Sequence, residues 1–198
     1  MSSAPASFAL LLVIGLVSVI AFSAPRLIER NLLRPYHVLR RRDFIPLVTC
    51  GFIHANWSHL IFNALTLYFF GPNLEATIGT PHFLALYFIG LVLSSAGTVW
   101  KHREDPNYAS LGASGAILAV LFAYIVYYPT QILYLYFAIP IPAVLFAFGY
   151  LAYTIWASKN PHGGINHDAH LDGALTGLLF VALTDFGAWR RAFDQILG

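Results

Sequence analysis

Charge is what this sequence has least of. Only 10% of its 198 residues are Asp, Glu, Lys or Arg, where a soluble domain carries roughly a quarter. A net charge of only +2 provides no broad basic surface, so nucleic acid is not an expected partner. The single cysteine, Cys50, excludes an internal disulfide and has no metal-ligand spacing around it. Polar linkers and low-complexity stretches are missing too, which leaves no room for a separate soluble module. What is abundant is apolar: 58% hydrophobic and 16% aromatic residues, with a mean hydropathy of +0.67. The chain is expected to be one integral membrane domain over residues 1–198.

Apolar runs of bilayer length place six spans, at about 7–23, 57–78, 81–100, 112–127, 141–158 and 168–186. The fold class is therefore an all-α, polytopic membrane helical bundle. Met1 to Leu10 carries no Lys or Arg, so the first run is expected to be a retained helix, not a signal peptide. Residues 24–56 read as a long first loop, with Pro25, Pro35 and Pro46 breaking any long helix. Its arginines suit either anionic lipid headgroups or a solvated loop face. The run from Phe44 to Ile53 is too short to span and is expected to embed partly. Gln131 to Ile139, rich in tyrosine and aliphatics, is expected at the membrane interface.

Ser114 stands between small residues at the head of the fourth span, in Ser110-Leu111-Gly112-Ala113-Ser114-Gly115-Ala116. Free backbone N–H groups and the positive end of the helix dipole there suit an oxyanion. The alternative is that these small residues serve only close packing. His59 and Asn63, four apart, share one face of the second span. Inside an apolar helix they point either to function or to an interhelical hydrogen bond. Glu75, near the far end of that span, reads as structural.

Parity links these residues. The starts of spans two, four and six lie on one side of the membrane, and His59, Ser114 and His170 occupy their first turns. Ala169, Gly173 and Gly177 on span six, with Gly115, Ala119 and Ala123 on span four, form small-residue ridges that let two backbones approach. His170 lies on the ridge side and is placed to act as a general base toward Ser114. Asp168 reads as a helix cap and Asp172 points away, so a Ser-His dyad is expected with no acid as third member.

These residues together resemble the rhomboid intramembrane serine proteases in their six-helix bacterial form. The matching motifs are His54 with His59-Leu-Ile-Phe-Asn63, Gly71-x-x-x-Glu75-x-x-x-Gly79, Gly112-Ala-Ser114-Gly115, and Ala169-His170-x-x-Gly173-x-x-x-Gly177. The resemblance implies Ser114 as nucleophile and His170 as base. It implies His59 and Asn63, with the chain around Gly112 and Gly115, as support for the oxyanion. It further implies a loop at Lys159 to Asn166 capping a water-filled cavity, no cofactor and no metal. Transmembrane protein substrates and membrane lipids become the expected partners, and a bacterial plasma membrane the expected location; oligomeric state is unread.

Two positions depart from the family pattern. Ile45 and Pro46 stand where an aromatic-Arg pair is usual, and Leu118 stands where an aromatic often stacks on the histidine. One alternative is a rhomboid-like protein that binds membrane helices without cutting them. Another is a metal or haem protein using His167, His170 and Asp172, or His54 and His59. Nine of the eleven Lys and Arg lie at the active-site end, a bias that would turn it to the cytoplasm. The resemblance implies the reverse, with the N-terminus inside and the site opening outward, and is followed here.

Overall fold

A computed structural model describes residues 4–135, 138–160 and 165–198 of the chain. The architecture is a polytopic helical bundle built on α1 (Pro5–Phe22), α5 (Trp57–Ile78), α6 (Thr80–His102), α7 (Ser114–Tyr127), α8 (Ala143–Lys159) and α9 (His167–Thr184). By length and composition alone, α1 and α6 suffice to cross a membrane.

The first loop holds no long helix, as its prolines require, and each proline opens a short one: α2 (Pro25–Asn31), α3 (Pro35–Arg41) and α4 (Pro46–Thr49). Proline fits the first helical position because its missing N–H has no partner there anyway. A 3-10 turn over Cys50–Phe52 follows. Leu33, Val38, Cys50 and Val99 form a small buried cluster that seats this loop on α6. The loop also holds the chain leading to Ser114. Leu33 and Ser110 exchange backbone hydrogen bonds of 2.9 and 3.0 Å, and Gly112 N–H donates to the Cys50 carbonyl at 2.9 Å.

Glu75 fastens the opposite end. Its carboxylate accepts from the Ala6 and Ser7 amides at 3.0 and 2.8 Å and from the Ser7 and Thr80 hydroxyls, both at 2.7 Å. It thereby caps the start of α1 from α5, the kind of satisfaction a buried carboxylate requires.

Helix α7 is the centre of the bundle. Every residue from Gly115 to Val126 is buried, as an all-round apolar helix requires. It packs most extensively on α9, then on α6 and α5. Small residues make this possible. A Cβ on Gly90 of α6 would stand 2.6 Å from the Ala119 Cβ. Cβ atoms on Gly173 and Gly177 of α9 would stand 2.9 and 3.0 Å from the Cα atoms of Gly115 and Ala119. At 14 residues, α7 is about 21 Å long, well short of a hydrocarbon core of about 30 Å.

Two elements were not foreseen. Ile132–Leu135 (β1) and Ile139–Pro142 (β2) form a short antiparallel hairpin between α7 and α8, an addition to the helical bundle. Two prolines are tolerated in β2 because a two-stranded ribbon has free edges. Beyond α9 the chain bends by 107° into α10 (Phe186–Leu197), an amphipathic helix crossing the end of the bundle.

Candidate active site

Ser114 is the first residue of α7, and the turn before it is built on Gly112, whose φ is +116°. Only glycine adopts that conformation without strain. Space demands glycine as well, since a Cβ there would stand 2.7 Å from Nε2 of His59. The His59 ring therefore lies against the backbone two residues from the serine.

His59 sits in the first turn of α5, whose N-terminus is capped by the Asn56 side chain accepting from the His59 amide at 2.9 Å. Asn63, one turn on, is buried and donates one amide hydrogen to the His59 carbonyl at 2.8 Å. Its second N–H is the one left for a ligand.

His54 has a role that sequence reasoning missed. Fully buried in the segment before α5, its Nε2 accepts the Ala113 N–H at 3.5 Å. Its Nδ1 meets the Ser18 hydroxyl at 2.9 Å, and Ser18 donates to the Phe52 carbonyl at 3.1 Å. The chain of bonds fixes the tautomer with the proton on Nδ1. Burial, with His59 beside it, pushes the His54 pKa down to about 3, so the ring is a neutral strut under the Gly112-Ala113 turn. Its edge-to-face contact with His59, at 4.9 Å between centroids, passes that support on. The available signal was Ser18, a polar residue in mid-span.

His170 lies in the first turn of α9. Asn166, not Asp168, caps that helix, accepting from Ala169 N–H at 3.0 Å and donating to Thr98 of α6 at 2.9 Å. Asp168 instead pairs with Lys101 at 2.5 Å and His102 at 3.2 Å, tying α9 to the end of α6. Asp172 faces Gly97 of α6, away from His170. A second missed residue, Tyr150 of α8, places its hydroxyl 3.1 Å from His170 Nδ1. No motif marks it, because one tyrosine on an aromatic-rich helix has no distinguishing pattern.

The contact of Gly173 with Gly115 brings the first turns of α9 and α7 together, and with them His170 and Ser114. The contact of His59 with Gly112 adds α5. Among the described residues the Ser114 hydroxyl makes no hydrogen bond, so no Ser114–His170 bond is formed in this arrangement. The implied cap at Lys159 to Asn166 includes residues 161–164, which lie outside the described residues. A cavity of 430 Å³ and another of 260 Å³ adjoin along the α6–α9 face, sharing Gly97 and Asp172, and neither is lined by Ser114.

A rhomboid domain signature matches residues 41–185. The chain belongs to the rhomboid family. It is 30% identical over 159 residues to RHOMBOID-like protein 12, mitochondrial, of Arabidopsis thaliana, covering 73% of this chain and 47% of that one. With presenilin-associated rhomboid-like protein A, mitochondrial, of Danio rerio it shares 30% over 153 residues, 74% of this chain and 39% of that one. A Bacillus subtilis relative whose name includes the words rhomboid protease matches at 34% over 79 residues, 40% of this chain and 39% of that one. This rhomboid chain thus spans less than half the length of these relatives. The family is one of polytopic membrane proteins that includes intramembrane serine proteases. The names mitochondrial on two of the three lend no support to the expected bacterial plasma membrane.

Proposed function

We propose that this rhomboid chain is an intramembrane serine endopeptidase that cleaves transmembrane helices of protein substrates with a Ser114–His170 dyad. The observation that carries the reading is the backbone contact of Gly173 with Gly115, because it sets a base and a nucleophile at one end of two helices in contact. In the reaction, Ser114 Oγ attacks the scissile carbonyl carbon while His170 Nε2 takes the hydroxyl proton. The tetrahedral oxyanion is received by the free N–H groups opening α7, with His59 and the second N–H of Asn63 on its other side. The C–N bond then breaks and the amine leaves with the proton from His170, giving a Ser114 ester. Water, deprotonated by His170, hydrolyses that ester and returns the serine.

One observation favours a second reading, in which the chain binds helices without cutting them: the absence of a bond between Ser114 and His170. Labelling with a fluorophosphonate, mapped by mass spectrometry, separates the two. The protease reading expects the adduct on Ser114 and its loss in His170→Ala. An unlabelled Ser114 in folded protein leaves the binding reading.

A further inference from the structure

We infer that Tyr150 is a positioning residue for the dyad: its phenol holds the His170 imidazole at Nδ1, in the tautomer that leaves Nε2 free to take the Ser114 proton. The inference rests on the dyad reading and deepens it.

A histidine base needs its far nitrogen held, or the ring swings and the proton sits on the wrong atom. The acids near His170 cannot do this. Asp168 is engaged by Lys101 and His102, and Asp172 lies against Gly97. Leu118, one turn below Ser114 on α7, is buried and offers the ring no polar atom. Among the described residues, the one hydrogen bond at the His170 ring is the 3.1 Å contact of Nδ1 with the Tyr150 hydroxyl.

Tyr150 is well fixed for the task. Its ring stacks on Phe146 at 5.5 Å and 24°, and leans on Phe122 at 5.8 Å. Phe122 lies two turns below Ser114 on the same face of α7, since residues 114, 118 and 122 are spaced by four. The phenol therefore spans from the α7 face beneath the serine to the histidine on α9. Tyrosine does so with two side-chain torsions, both restricted here by aromatic neighbours.

The proton count is simple. At rest, Nδ1–H donates to the phenol oxygen and Nε2 carries the lone pair. When Nε2 takes the Ser114 proton, both ring nitrogens carry hydrogens, and the phenol oxygen still accepts from Nδ1–H. Tyr150 keeps its own proton throughout and transfers none. A neutral oxygen is a weaker acceptor for an imidazolium than a carboxylate, so its loss should slow the chemistry without abolishing it.

The test uses the full chain in detergent and a fluorophosphonate probe, with the maximal rate of Ser114 modification and the half-saturating probe concentration measured separately. Tyr150→Phe is expected to lower the maximal rate about 10- to 100-fold, with half-saturation and Tm near wild type. Tyr150→Gln, whose carbonyl can accept from Nδ1–H, is expected to be faster than Tyr150→Phe. A Tyr150→Phe protein that labels at the wild-type rate overturns the inference while leaving the dyad standing. A lower rate accompanied by an equal loss of Tm, with no gain in Tyr150→Gln, makes Tyr150 a packing residue and also overturns it. Failure of the wild type to label at Ser114 removes the dyad reading, and this inference with it.

Discussion

Gly173 and Gly115 touch backbone to backbone: a Cβ on the first would lie 2.9 Å from the Cα of the second. No side chain intervenes, so the distance between helices α9 and α7 at this level is set by the methyl group that Gly173 lacks. Even Gly173→Ala must push the helices apart. We expect it to lower Tm and to reduce turnover by about 10²-fold, the scale of loss from an approximately 1 Å misplacement of catalytic groups. Gly15, whose Cβ would meet nothing within 4 Å, is the control, and Gly15→Ala should change neither. Thermal melts and turnover of the two variants side by side check this.

Gly112→Ala strikes the other side of the site. At φ +116° an alanine is strained by about 1–2 kcal/mol, and its methyl group would displace the His59 ring. Activity should fall more than stability does, because the turn orients both the His59 ring and the free N–H groups at the start of α7, to which the proposed mechanism gives the oxyanion. Equal, small effects on both would show that His59 is free to move without consequence.

His54 gives a pH dependence with a definite sign. Its pKa falls from 6.5 to about 3 on burial, so the folded protein binds fewer protons at this group than the unfolded chain between those values. The stability it contributes is complete above pH 6.5 and is lost progressively as pH drops toward about 3. Wild-type Tm should therefore decline over that window. His54→Gln removes the titration and should flatten this part of the profile, from a lower starting Tm. An unchanged profile in the variant would assign the decline to other groups.

Span parity can be tested with one impermeant thiol reagent. Burial pushes the Cys50 thiol up to about 11, so the native cysteine should stay silent. A cysteine at Glu104, beyond α6, and one at Gln195, on α10, should label from opposite sides of a sealed vesicle. Labelling from the same side would contradict six crossings.

Much of this was legible in the sequence because a membrane simplifies the code. Long apolar runs mark helices, and the rare polar residues within them, His59, Asn63, Ser114 and His170, stand out against that background. Small-residue spacing then indicated which helices could touch. What was hidden depended on context. Proline 25, 35 and 46 signal a helix start as readily as a break, and only the flanking residues decide. The interfacial run expected from Gln131 to Ile139 and the span expected at 141–158 meet inside the hairpin, and its strands are too short for alternation to mark them. The charged run after Asp185 lacks the hydropathy that flags a span, so amphipathic α10 went unnoticed. Asp168 resembled a cap by position, yet Lys101 and His102 arrive from 66 residues away or more to claim it. Tyr150 was invisible for the same reason, since its significance lies wholly in the helix opposite.

The most direct measurement of the central claim is cleavage of a single-span test substrate in proteoliposomes by wild type, Ser114→Ala and His170→Ala. The account predicts discrete cleavage by the wild type and a loss of up to about 10⁶-fold in each variant, because a dyad fails as a unit. Cleavage by folded Ser114→Ala at a rate near that of the wild type would contradict it.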